Sequence, residues 1–321
     1  MILRSLQILL AAILLISCSQ EEGKVQEIGD IVYLQMATDT CESTRANDGV
    51  NNNSTFIYPS NFTIAVDGEN YVYTALSANT NMTSASPAHF PINGNSVRIQ
   101  AFYPSISMQY SNTPQTFTVE QDQSQTSIGT TGYRVSDLMY GLPREDFVDN
   151  DPLTSGATRK VNPTINAIPL VFEHKMVKIR VDITLSGVNV KRITMKNVKR
   201  SIDFNPVDTT FSNLATAADG LGDEVIMYDN ALGTTTNFSC TALIPKQNLA
   251  INTAFIDILI EDYPSDKTLT YKLHENAYFR PGYQYIYNLA VSMDVVSVSC
   301  SIAIWNDTPD GWTDISDTIK L

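Results

Sequence analysis

From residue 56 onward the chain alternates apolar and polar positions in short runs broken by turn residues about every ten positions, which is the grammar of β-strands. Residues 61–66 and 71–76 flank Asp67-Gly68, a dipeptide suited to a two-residue hairpin. The strongest strand signal of the first half runs over residues 170–185. Phe172, His174 and Met176 share one phase there, and Val177, Ile179, Val181, Ile183 and Leu185 the other, so a β-bulge is expected near Met176 or Val177. Further strands are predicted at 190–195, 201–204, 225–228, 238–243, 254–260 and 269–274. Near the end, Tyr283, Tyr285, Tyr287, Leu289 and Val291 alternate in one strand, and Val296, Val298, Cys300, Ile302 and Ile304 in the next. No 3.6-residue period lasts three turns; a short helix is expected only at 213–218. The pattern predicts an all-β protein. Its length of 321 residues suits two domains, divided near Ser186-Gly187-Val188-Asn189 into residues 46–186 and 187–321.

The first fifty residues carry a different kind of information. Arg4 precedes an apolar run over residues 6–16, too short for a membrane span, and Leu15-Ile16-Ser17-Cys18 fits the site at which a lipoprotein signal peptide is removed. Residues 1–17 are therefore expected to leave, with Cys18 taking a lipid. Residues 31–36 read as a strand with Val32, Leu34 and Met36 on one face. Thr44-Arg45-Ala46 then opens a loop of Asn, Asp, Gly and Ser, the extended and unpacked backbone that a protease needs. A solvated surface arginine is the plainer reading of Arg45 taken alone.

Charge and chemistry narrow the function. Against 34 acidic residues stand 21 basic ones, a net charge of -13, which disfavours a phosphate-binding surface and hence nucleic acid. The three histidines, His89, His174 and His274, have no ligand-spaced partners, so no metal centre is expected; His174 reads as a core residue. Asp146, Asp149 and Asp151, and Asp307 with Asp310, miss the spacing of a calcium loop. No serine sits in a nucleophile elbow and no cofactor motif occurs, so an enzyme is not expected. Cys240 and Cys300 form a pair only if their side chains meet, and two unpaired thiols on strands read equally well. Tyr283, Tyr285 and Tyr287, with Trp305 and Trp312, suit either a sugar-stacking platform or, preferably, the inner face of a sandwich.

Three stretches together resemble the bacteroidal fimbrillin family, the type V pilins and their relatives. They are the lipoprotein site, first strand and Thr44-Arg45-Ala46 junction; the run Phe172-Glu173-His174-Lys175-Met176-Val177-Lys178; and Arg280-Pro281-Gly282 leading into a tyrosine strand, followed by a strand closing on Ile304-Trp305. The resemblance implies two tandem transthyretin-like β-sandwich domains. It implies a precursor held at the outer membrane by lipid on Cys18, surface-exposed, with residues 18–45 as a propeptide cut by an arginine-specific protease between Arg45 and Ala46. It further implies a pilus subunit that supports cell adhesion and polymerises with its own kind or related subunits by strand exchange. The strand bearing Val32, Leu34 and Met36 would then be the removable one, and residues 312–321, with Ile315, Ile319 and Leu321, the candidate donor. The alternative is a non-polymerising surface lipoprotein that binds glycans.

Overall fold

The computed structural model describes residues 29–36, 59–77, 80–105, 107–124, 132–148, 160–216, 223–293 and 296–304. Among them the chain is all-β, with one helical turn, α1 (Gly132–Val135), and a 3-10 turn at Glu145–Phe147. No helix among these residues is long and apolar enough to cross a membrane.

The first half is built on a six-stranded sheet in the order β1 (Leu34–Met36), β7 (Ile168–His174), β6 (Met139–Pro143), β4 (Ile99–Tyr103), β2 (Ser60–Val66) and β3 (Glu69–Ala75). Asp67 and Gly68 both take positive φ and set Val66 opposite Glu69, the primed hairpin turn that the dipeptide predicts. Alternation gives this sheet two buried faces. Phe62, Ile64, Ile99, Ala101, Leu170 and Phe172 point into one core. Ala65, Phe102 and Tyr140 point the other way, into a core that continues through the second half. On that side lies a three-stranded sheet, β11 (Phe211–Ala215), β10 (Ser201–Phe204) and β5 (Gln115–Thr118), and Tyr140 meets Phe204 with ring centroids 6.5 Å apart.

The second half is a sandwich of two four-stranded sheets. One runs β12 (Glu224–Thr234), β9 (Val190–Lys196), β15 (Ala254–Ile260), β16 (Lys267–Lys272). The other runs β13 (Phe238–Ile244), β8 (Val177–Leu185), β18 (Tyr283–Val291), β19 (Val296–Ile304). A two-stranded ribbon, β14 (Gln247–Leu249) with β17 (Ala277–Phe279), closes one end.

The structure departs from the sequence reading at three places. The phase change at Met176 is not a bulge in one strand. The chain leaves the first sheet at His174 and enters the second sandwich at Val177, so the apolar face changes because the neighbouring layer changes. The helix expected at 213–218 does not form over 213–216, and residues 217 and 218 lie outside the described residues: Phe211 packs on Phe204 at 5.3 Å, and the Asn213 amide donates to Asp203, holding residues 211–215 in β11. The division near Ser186 is crossed by the pairing, for β8 lies before it yet pairs with β13 and β18, while β10 and β11 lie after it yet pair beside β5.

Candidate functional site

Residues 29–36 are inserted into the first half rather than laid along its surface. β1 pairs in parallel with β7, setting Leu34 against Ile168 and Met36 against Leu170, and the Tyr33 carbonyl accepts from the Ile168 N–H at 2.9 Å. Successive carbonyls of a strand point to opposite sides. The Leu34 carbonyl therefore turns away from β7 and accepts from the Met82 N–H at 2.8 Å; on that same side Val32 donates to the Ala88 carbonyl at 2.9 Å and Asp30 accepts from Phe90 at 2.8 Å. The segment thus lies between two backbones, β7 and residues 81–90, and taking it out would leave a slot with a wall on each side.

Side chains fix the register. Val32, Leu34 and Met36 are 0%, 0% and 2% exposed, whereas Tyr33 between them is 41% exposed. Burying three such side chains contributes on the order of 5 to 9 kcal/mol, before the cost of ordering the segment. The buried Tyr73 hydroxyl donates to the Val32 carbonyl at 3.2 Å and accepts from the Ala88 N–H at 2.9 Å, so one side chain ties the segment to its wall. Burial raises the pKa of this hydroxyl, the Ala88 bond acting the other way. At the head of the segment, a Cβ on Gly29 would stand 1.8 Å from the Phe90 carbonyl oxygen, so only glycine passes there. Val32, Leu34 and Met36 were legible as one face. Gly29, Tyr73 and residues 81–90 were not, because nothing local marks their partners.

Cys18, Cys41, Arg45, Ala46, Trp305, Trp312, Ile315, Ile319 and Leu321 lie outside the described residues. Cys240 and Cys300 are free thiols. The registers Cys240–Val181, Val181–Tyr287 and Tyr287–Cys300 place them in one row across the sheet, three strand spacings or about 14 Å apart, beyond the reach of a disulfide. Burial pushes the Cys300 thiol up to about 11, and the Cys240 thiol higher still. His174 is buried with Nδ1 2.9 Å from Asp137 Oδ1, beside the crossing from β7 to β8. Among the described residues no group of His, Cys, Asp and Glu could hold a metal ion.

Of the tyrosine row, Tyr285 and Tyr287 turn inward. Tyr287 packs on Phe255 at 5.3 Å, and the Tyr285 hydroxyl donates to the Tyr278 carbonyl at 2.6 Å. They belong to the core rather than to an exposed platform. A cleft of about 550 Å³ lies where β16 and β19 leave the side of the second sandwich open, with Tyr271, Tyr283 and Ile302 among its walls.

A family model described as fimbrillin-like matches residues 44–305, and the chain belongs to that family. No curated protein matches it. Among solved structures, it is similar to a candidate cell adhesion protein of Bacteroides uniformis, with a TM-score of 0.58 and 18% identity over 86% of this chain and 98% of the other. A second candidate cell adhesion protein, from Bacteroides ovatus, gives 0.51 and 13% over 79% and 90%. At those identities the likeness is one of fold. The tip fimbrial protein Mfa3 of Porphyromonas gingivalis aligns over 85% of this chain and 99% of its own at 12% identity, with a TM-score of 0.45.

Proposed function

We propose that this chain is the precursor of a fimbrial subunit that acts by assembly rather than by catalysis. It is exported as an outer-membrane lipoprotein through Cys18, cut between Arg45 and Ala46, and joined to other subunits by exchange of the strand at residues 29–36. One observation carries the reading: the segment ahead of Arg45 is built into the sheet between two backbones, with its three apolar side chains almost wholly buried. Its loss would leave unpaired N–H and C=O groups on both walls and an apolar trough between them, which a strand from a neighbour can refill. Residues 312–321, with Ile315, Ile319 and Leu321, are the part of this chain offered to a neighbouring subunit. Fimbrillin-like family membership supports a place in a surface fimbrium and a role in adhesion.

Treating purified precursor with an arginine-specific protease tests the reading. The wild-type chain should give a ladder of polymers, with Ala46 as the new amino terminus, in the presence of the subunits it joins. Arg45→Ala should stay monomeric under the same conditions. Equal assembly of the two would remove the proposal.

A further inference from the structure

Hydrogen bonds to a strand's backbone do not read its sequence, so the slot can select its occupant only through side chains. Four positions do this. Val32, Leu34 and Met36 are at most 2% exposed and ask for apolar groups at every second residue. Three residues before the first of them, Gly29 faces the Phe90 carbonyl oxygen at a distance that no Cβ tolerates, and that oxygen belongs to backbone held by the Phe90–Asp30 bond. The occupant's pattern is therefore Gly-x-x-apolar-x-apolar-x-apolar.

Residues 305–321, Trp-Asn-Asp-Thr-Pro-Asp-Gly-Trp-Thr-Asp-Ile-Ser-Asp-Thr-Ile-Lys-Leu, do not contain it in either direction. Their best alternating row is Ile315, Asp317, Ile319, Leu321. A register that puts Ile319 and Leu321 where Leu34 and Met36 sit puts Asp317 in the fully buried place of Val32. Shifting by two puts Asp317 in the place of Leu34. A carboxylate in either place would be buried in the apolar cluster that Val32 and Leu34 share with Phe62, Ile168 and Leu170, and is strongly disfavoured. Gly311 falls three residues before Asp314, so it serves neither register.

Resting on the strand-exchange reading above, we infer that the slot of this chain rejects residues 312–321 of a second copy and takes a strand from a different polypeptide, which carries Gly-x-x-apolar-x-apolar-x-apolar. The subunit accordingly joins a mixed fibre at its slot, and its own residues 312–321 enter a slot of different side-chain lining.

Labelled peptides distinguish the outcomes. The full chain is cut after Arg45 in the presence of one of three peptides, and captured label is read after gel filtration. The first peptide spans residues 29–36. The second spans 311–321. The third is the second with Trp312→Gly and Asp317→Leu. Those two changes complete the pattern, with positions 312, 315, 317 and 319 taking the places of Gly29, Val32, Leu34 and Met36. The first and third should be captured, and the second about tenfold less or weaker still. Capture of the unsubstituted 311–321 peptide as well as the first overturns the inference while leaving strand exchange intact. So does a third peptide no better than the second. Failure of the first peptide to enter the cut chain removes strand exchange itself, and the inference with it.

Discussion

Two glutamine side chains take roles that sequence patterns assign to backbone. Gln123 donates to the Leu243 carbonyl at 2.9 Å and accepts from the Leu243 N–H at 2.8 Å, standing in for a strand beside β13. Gln247 treats Lys199 in the same way, accepting from its N–H at 2.9 Å and donating to its carbonyl at 3.2 Å. Such pairings join residues 120 and 48 positions apart, and no local signal announces them. Buried phenols are equally silent in sequence and have a measurable consequence. Burial pushes Tyr140 up to about 12 against a slighter downward pull from the Gln100 amide that donates to it, and burial raises Tyr271 to about 12, with the Cys300 thiol adding to the effect. The folded state thus holds these protons more tightly than the unfolded one, whose tyrosines ionise near 10. Stability from the two phenols is complete below about pH 10 and is lost as pH rises towards about 12. A urea series between about pH 9 and 12 should show the midpoint falling in that window, with a smaller fall for Tyr140→Phe; no fall, or an unchanged one in the variant, would count against the assignment.

At the scale of one element, the inserted segment was legible as far as periodicity reaches. Val32, Leu34 and Met36 alternate with polar or exposed neighbours, and the structure buries those three. What periodicity could not say is that the strand has two walls. Residues 81–90, Asn-Met-Thr-Ser-Ala-Ser-Pro-Ala-His-Phe, contain a proline and no alternation, so they read as loop, yet their backbone bonds residues 30–34 at three points. The energetic expectation is sharp. In the uncut chain Leu34→Ala removes a fully buried side chain and should cost about 2 to 5 kcal/mol, whereas Tyr33→Ala, one residue away on the exposed edge, should change stability by about 0.5 kcal/mol or less. Equal effects in urea unfolding would mean that the alternation does not hold in solution. The phase change at Met176 was likewise visible but ambiguous, because a bulge and a change of sheet leave the same trace in a single sequence.

For the whole molecule, alternation was enough to fix an all-β chain but not which strands share a layer. The expected cut near Ser186 follows a polar turn, while the pairing follows distant contacts: β8 goes forward into the second sandwich and β10 with β11 comes back beside β5. A polypeptide ending at residue 186 would therefore leave Ala65, Phe102 and Tyr140 without their cover. It should aggregate or bind a hydrophobic dye where the full chain does not; a folded, dye-free fragment would show that the first sheet needs no partner. The same interleaving bears on how the body transmits a pull. Among the described strands the chain goes from the first half to the second between β7 and β8, returns between β9 and β10 to pair beside β5, and is back in the second half at β12, the β5–β10 ladder fastening the returning strands to the first half. A tug on opposite ends would be shared among several covalent threads and sheared through a rung-by-rung seam, so the middle of the molecule behaves as a splice rather than a tether.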